Sequence, residues 1–538
     1  MAHFINAKED VVREAIDGLL ACSGGALARL DGYPHIKVVH RAELDQSKVA
    51  LVSGGGSGHE PAHAGFVGPG MLTAAVCGEV FASPSVDAVL AGILAVTGPA
   101  GCLLIVKNYT GDRLNFGLAA ERARALGHKV EMVVVDDDIA LPELPQPRGV
   151  AGTLLVHKIA GSLAENGAPL EEVAEAARSV IGRVASIGKS LDTCTIPGAT
   201  KEDRVPKGKA ELGLGIHGEP GVEQVDFAGA AAAMTILLDK LKPHVSNGPC
   251  VALINNLGST TPLEMSVLSQ ALADAGMVTH VIGPGPMMTS LDMHGFSVSV
   301  LPVSDAELAA LAEPVPMAAW PAMQAISVPK LTKMPAGMSP AVATPSSNPT
   351  VEGIIGTAIS AVLAAEAALN VLDAKSGDGD TGSTLATAAR ALAERLDALP
   401  LAEETKLYPA IGNELSQTMG GSSGVILAIF FNAAGEASTQ GAETSAALQA
   451  GLRRISEVGG ARIGDRTMID ALAPALEALG SGLGAAAEAA RKGADHTSAI
   501  HQAKAGRAAY VPAESLMGNN DPGAEAVALV FEALAARV

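Results

Sequence analysis

From residue 1 to about 330, short apolar runs alternate with stretches of helical spacing. Residues 49–53 predict a strand that ends in glycines, and residues 103–106 predict a second. A helix over 117–126 and a strand over 130–135 follow. This strand–helix–strand rhythm belongs to a sheet covered by helices. A second set comes after the loop at 197–209, with strands predicted over 212–217, 251–255, 278–282 and 297–301 and an Ala-rich buried helix over 230–238. The pattern predicts an N-terminal half (1–330) of two α/β subdomains, divided near residue 190.

Residues 328–349 are dense in proline and carry neither the helical nor the strand period, so 331–349 reads as an extended, semi-rigid linker. Beyond it the period becomes helical. Asn348-Pro349 fits a helix start, and Ile355, Ile359, Val362 and Leu369 recur on one face. Leu385, Ala388, Leu392, Leu396 and Leu399 repeat the pattern, as do Val527, Phe531 and Leu534 after Asp521-Pro522. Residues 350–538 are expected to be all-helical, a bundle of about eight helices.

Composition narrows the partners. The 538 residues carry 37 Lys+Arg against 57 Asp+Glu, a formal charge of -20, which argues against nucleic acid and anionic membranes. Mean hydropathy is high at +0.30, but Ala and Gly supply much of it, and no stretch is expected to span a membrane. The N-terminus has neither a basic nor an apolar signal region. The cysteines, Cys22, Cys77, Cys102, Cys194 and Cys250, are odd in number and form no C-x-x-C pair. They read as reduced thiols, consistent with a cytoplasmic protein.

Four segments carry candidate chemistry. Residues 53–61, SGGGSGHEP, follow a strand; glycines there admit a ligand close to the backbone, or simply make a tight turn. The segment is neither a Walker A loop nor a dinucleotide fingerprint. Lys107-Asn108-Tyr109-Thr110-Gly111-Asp112 stands just past the next strand, where open sheets bind ligands; Asp112 can take a proton from a hydroxyl or can cap a turn. His217, in GIHGEPG, is either a loop histidine or a reactive one. Asp373, Asp378 and Asp380 fall within eight residues, interleaved with glycine, a hard-oxygen set suited to Mg²⁺ or Ca²⁺ if it is not a solvated acidic turn. The spacing does not fit an EF-hand.

Together these segments resemble the dihydroxyacetone kinase family nearly letter for letter. The resemblance rests on GGGSGHEPAHAG, CGEVFASP, NYTGD and GIHGEPG across most of 1–330, and on DAKSGDGDTG across the start of the helical half. It implies that His217 bonds to the substrate carbonyl as a hemiaminal. It implies that Gly56, Ser57, Gly58, His59 and Lys107 contact the substrate, that His59 assists catalysis, and that Asp112 is the general base. It further implies an all-helical barrel in which Asp373, Asp378 and Asp380 hold two Mg²⁺ ions bridging the phosphates of ATP. Gly379, Thr381, Gly421, Ser422 and Ser423 would complete the phosphate side. Gly464, Met468, Asp521, Pro522 and Gly523 would close over the nucleotide. The family often has Thr where Ser422 stands, and either hydroxyl can donate.

Both halves on one chain resemble the family's ATP-using form, and a homodimer is implied. The expected activity is ATP-dependent phosphorylation of dihydroxyacetone. The alternatives are a kinase for erythrulose, another short ketose or glyceraldehyde, a ligand-sensing regulator, and an FAD-cleaving lyase. The three aspartates count against the sensor, which has no need of them.

Overall fold

The computed structural model describes residues 3–141, 146–246, 248–335 and 344–537. Part of the expected linker, 336–343, lies outside the described residues. The chain divides into two compact units, Met1–Lys330 and Leu331–Val538.

The first unit holds two sheets. The first comprises β1 (Leu27–Arg29), β2 (Val38–Arg41), β3 (Ala50–Ser57), β4 (Ala74–Val80), β5 (Cys102–Lys107) and β6 (Val130–Val135), in the order β1-β2-β4-β3-β5-β6. β4, β3, β5 and β6 run parallel. Every residue of β3 and β5 is buried, as expected of parallel strands covered on both faces. Val52 and Leu104 face one layer, with Val89 of α2 (Val86–Val96) and Phe116 of α3 (Thr110–Ala125). Leu51, Leu103 and Ile105 face the other, with Leu154 of α4 (Thr153–Glu165) and Val173 of α5 (Leu170–Ile181). A short α1 (Val11–Ala21) packs on this second layer through Val12 and Ile16.

The second sheet contains β7 (Ala185–Ser190), β8 (Lys209–Leu212), β9 (Glu223–Asp226), β10 (Cys250–Asn256), β11 (His280–Gly285), β12 (Gly295–Pro302) and β13 (Gln324–Ala325). Its order is β13-β11-β10-β12-β7-β8-β9, and within it only β10 and β11 pair in parallel. One face packs on α6 (Ala230–Leu241) and α7 (Pro262–Asp274). Val251, Leu253 and Leu301 of the other face join the core that also holds Leu51 and Leu154. α8 (Asp305–Ala312) adds Leu311 to it.

Three differences from the sequence pattern matter for the site. The strand predicted over 212–217 ends at Leu212, because Gly213 takes φ +66 and turns the chain out of the sheet. His217 therefore stands in a loop. α3 begins at Thr110, ahead of the predicted 117, so Asp112 lies in its first turn. β7 was not predicted, since Gly188 and Lys189 break its apolar pattern.

The second unit is helical, as the pattern predicts. It contains α9 (Pro349–Asp373), α10 (Thr381–Glu394), α11 (Glu404–Thr418), α12 (Gly421–Thr439), α13 (Thr444–Gly459), α14 (Ile469–Ala478), α15 (Leu483–Thr497), α16 (Ala513–Leu516) and α17 (Pro522–Ala535). Asn348 caps α9 with its side chain, accepting from the Thr350 and Val351 N–H groups. Ile355, Leu385, Leu407, Leu427, Leu448, Leu472 and Val527, from seven different helices, surround an interior cavity of about 490 Å³, so the helices form a barrel. Against the sequence expectation, α9 is by length and composition apolar enough to cross a membrane. In this fold Val351, Ile355, Ile359 and Val362 of α9 line the cavity, which accounts for that apolar face.

Candidate functional site

In the first unit, the loops after β3, β5 and β8 bring a cluster of rings and charges together. His59 is fully buried, and its Nδ1–H donates to the Thr289 carbonyl at 2.8 Å. That bond fixes the tautomer and leaves Nε2 as an acceptor, with no partner among the described residues. The His59 ring stacks on Phe81 with centroids 5.2 Å apart and meets the His217 ring edge-on at 4.8 Å. Tyr109 and Phe81 also meet His217 edge-on, at 4.5 and 5.3 Å. Burial, then the charges of Lys107 and His217, push His59 well below the usual imidazole range, so it is neutral at neutral pH.

The His217 ring is held from behind by Glu219. One carboxylate oxygen accepts the His217 backbone N–H at 2.8 Å, and the other lies 3.3 Å from Nδ1. Burial alone would raise Glu219, but the His217 hydrogen bonds and charge hold it down to about 2. A carboxylate on Nδ1 keeps the proton there and leaves Nε2 as the nucleophilic nitrogen.

Lys107 and Asp112 complete the cluster. A Cβ built on Gly55 would lie 3.4 Å from Asp112 Oδ2 and 3.5 Å from Lys107 Nζ, so the glycine leaves the space over both groups open. Lys107 Nζ, Asp112 Oδ1, the Tyr109 hydroxyl and His59 Nε2 are all buried without a protein partner among the described residues. Buried polar groups are rarely left unpaired, and four beside one another mark a place built for a polar ligand. Burial lowers Lys107, opposed first by Asp112; burial raises Asp112, opposed first by Lys107.

The glycine segment serves partly as framework. Ser57 Oγ donates to the Gly78 carbonyl at 2.8 Å, so its proton is already engaged. Gly58 takes φ +101, and a Cβ there would come within 2.8 Å of the Phe81 ring. Gly56 packs against the backbone of Phe81 and Ala82. Sequence reasoning assigned no role to Phe81, Tyr109, Glu219 or Thr289. The first three stand inside the quoted motifs, and Phe81 holds φ +57, rare for an aromatic residue. Thr289 is distant in sequence and carries no local signal.

In the second unit the chain wraps around one aspartate. Asp373 is the last residue of α9, and its Oδ2 accepts N–H groups from Gly379, Asp380 and Thr381 at 3.1, 3.0 and 3.2 Å. Gly379 at φ +79 allows the turn. This folds Asp378 and Asp380 back, so that Asp373, Asp378 and Asp380 offer oxygens within 4.8 Å of one another. Three hard carboxylate donors at that spacing, two of them exposed, fit Mg²⁺.

The other predicted segments gather at the same cavity. Thr381, Met468 and Gly523 line it, as does Met419, just before α12. The side chains of Ser422 and Ser423 lie outside the described residues; with Gly421 their backbone opens α12, whose start has no side-chain cap. Asp470 accepts the Gly464 and Thr467 N–H groups at 2.5 and 2.8 Å, which shapes the loop that presents Met468. A Cβ on Gly523 would touch Met468 at 3.2 Å. Asp521 caps α17, accepting from Ala524 N–H at 2.9 Å, with Pro522 buried beside it. Lys375 Nζ donates to Asn519 Oδ1 at 3.0 Å and ties the aspartate loop to this last segment. Arg466 stands inside the 464–468 segment, but sequence reasoning gave it no role of its own. It is buried, donates to the Asn519 carbonyl at 2.9 Å, and leaves Nε and one terminal nitrogen unpartnered among the described residues.

Residues 17–319 match the Dak1 domain family and residues 375–536 the DAK2 domain family. The chain is 48% identical to a dihydroxyacetone kinase of Citrobacter freundii, over 99% of this chain and 98% of that protein. It is 39% identical to human triokinase/FMN cyclase, over 98% of each. It is similar throughout to the crystal structure of the C. freundii kinase in complex with AMP-PNP and Mg²⁺, at 46% identity and a TM-score of 0.68, covering 100% of both chains.

Proposed function

The chain belongs to the dihydroxyacetone kinase family, and from that premise we propose that it transfers the γ-phosphoryl group of ATP to a hydroxyl of dihydroxyacetone. The observation that carries this reading is the His217 ring held on Nδ1 by Glu219, beside four polar groups without a partner among the described residues.

Nε2 of His217 adds to the carbonyl carbon. The carbonyl oxygen gains a proton and Nδ1 gives one up, so the hemiaminal is neutral. The charge that develops on the ring beforehand faces the Glu219 carboxylate. Dihydroxyacetone offers few handles, and a net hydrogen bond contributes only about 0.5–1.5 kcal/mol. A bond that requires a carbonyl excludes glycerol by reactivity, and it fixes the hydroxyl for in-line attack. Asp112 accepts the proton of the attacking hydroxyl. Lys107 donates to the carbonyl oxygen and the Nε2 of His59 accepts from a hydroxyl, with Gly56, Ser57 and Gly58 forming the wall.

On the nucleotide side, Asp373, Asp378 and Asp380 would hold two Mg²⁺ ions, which when bound neutralise the phosphate charge. The α12 start at Gly421, Ser422 and Ser423 supplies backbone donors to a phosphate. Gly379 and Thr381 lie beside it, and Gly464, Met468, Asp521, Pro522 and Gly523 enclose the base. The ketose unit ends near residue 330, the linker covers 331–349, and the nucleotide unit occupies 350–538. A homodimer would let one chain's ketose unit face its partner's nucleotide unit. Five free cysteines favour a reducing, cytoplasmic setting.

The test is an ADP-release assay with Mg-ATP and dihydroxyacetone, D- and L-erythrulose, glyceraldehyde or glycerol. The reading requires activity on dihydroxyacetone and none on glycerol. No release with any carbonyl compound would overturn it.

A further inference from the structure

Lys189 stands on β7, between Phe296 of β12 and Leu212 of β8. Ile187 and Ala185, two and four residues before it, belong to the core under α6 and α7, and Lys189 shares their face. Only 2% of the residue is exposed. Among the described residues its ammonium has neither a hydrogen bond nor an ion pair, and its one perturbation is loss of water, which lowers its pKa.

What it lines is a cavity of about 230 Å³ between α6, α7 and the end of the sheet. The body of that cavity is apolar, formed by Phe296, Ala233 and Leu268. Phe227, Leu263 and Val267 stand at its mouth and are 40, 77 and 50% exposed. The other charged groups on the wall are already matched. Glu264 accepts from Thr261 N–H and Oγ1 at 2.8 Å and pairs with His294 Nε2 at 2.9 Å. Thr260 Oγ1 donates to the Gly295 carbonyl at 2.7 Å. α6 starts at this wall with Ala230, and its N-cap, Gly229, gives no side-chain cap to the first N–H groups. Its positive end therefore adds to the Lys189 charge.

An ammonium drawn partly out of water without a counter-charge is unfavourable, and an exposed apolar mouth beside it is unfavourable too. A single ligand removes both. We propose that this cavity is a second small-molecule site, which binds an amphipathic monocarboxylate with its head on Lys189 and its aliphatic body against Phe296, Leu268 and Val267. The site is separate from the ketose and nucleotide chemistry and does not depend on it.

The experiment uses the full chain with octanoate as the probe and 1-octanol as its neutral counterpart. Trace acetylation with mass-spectrometric peptide mapping reads Lys189 itself, so ligand held in the barrel cavity does not interfere. Octanoate is expected to reduce Lys189 acetylation at least 10-fold relative to exposed lysines, and 1-octanol to leave it unchanged. Calorimetric titration of Lys189→Met should show octanoate affinity at least 10-fold weaker, with ADP release on the ketose unaltered. Leu263→Asp, on an exposed position, should weaken octanoate to a similar extent if Lys189→Met folds poorly. Equal acetylation with and without octanoate would overturn the proposal. So would equal protection by 1-octanol, or protection that appears on raising protein concentration alone, which would mean that a second copy covers the mouth.

Discussion

Glu219 takes both hydrogen-bonding protons of His217, the backbone N–H at 2.8 Å and Nδ1 at 3.3 Å, from two residues away. The loop that follows β8 thus carries the proposed nucleophile and its orienting carboxylate in one turn. Glu219→Gln keeps the shape and removes the charge. A hydrogen bond to a charged group contributes about 1.5–3 kcal/mol, so kcat/KM for the ketose should fall roughly 10- to 100-fold. The KM for ATP should stay as it is. Steady-state ADP release at varied ketose and varied ATP separates the two.

As the proposed general base, Asp112 is expected to set the acid limb of the pH profile. Burial raises its pKa, and Lys107 opposes that only in part. A general base works deprotonated, so activity falls as pH drops through the raised value. The limb in kcat/KM should therefore lie above the ordinary aspartate value of about 3.9. Asp112→Asn should lower kcat by about 10²- to 10⁴-fold. A limb at or below the ordinary value would remove Asp112 from this role.

The three aspartates should govern nucleotide binding alone. Mg-ATP at about 100 times its Kd stabilises a folded unit by roughly 2.7 kcal/mol. Differential scanning fluorimetry should show that shift in the wild type and not in Asp380→Asn or after chelation. Dihydroxyacetone binding to Asp380→Asn should be unchanged.

Asp521 makes the helical unit's stability depend on pH. Burial raises its pKa to about 6 from 3.8. The folded state therefore prefers the protonated form, and the penalty for ionisation is complete above pH 6. It declines as pH falls through 6 and vanishes below 3.8. A shift of that size is on the order of 3 kcal/mol. Asp521→Asn keeps an N-cap acceptor and should be more stable than the wild type at pH 7, with the gap narrowing by pH 5. Urea unfolding of the ligand-free protein at both pH values checks the sign.

The strands with continuous apolar runs were legible in the sequence: β3, β5, β6, β10 and β12 fall on or beside their predicted spans. The helical half was legible for the same reason, through its period. β7 was hidden because it ends on Gly188-Lys189-Ser190, where a buried charge faces a cavity. The strand predicted through His217 failed because Gly213 at φ +66 releases the chain early. In the site, residues close in sequence were readable and tertiary partners were not. Thr289 sits 230 positions from His59, yet its carbonyl fixes that ring. Arg466 was passed over because nothing in its neighbours signals that the fold buries a guanidinium there.

The central claim is the covalent bond to His217. The most direct measurement is NMR of [2-13C]dihydroxyacetone bound to protein carrying [15N]histidine. The account predicts a tetrahedral carbon with a one-bond 13C–15N coupling, abolished in His217→Ala and in unlabelled protein. The hydrate of free dihydroxyacetone is also tetrahedral, but it has no such coupling. A bound ketone or hydrate without coupling, in protein that still releases ADP, would contradict the account.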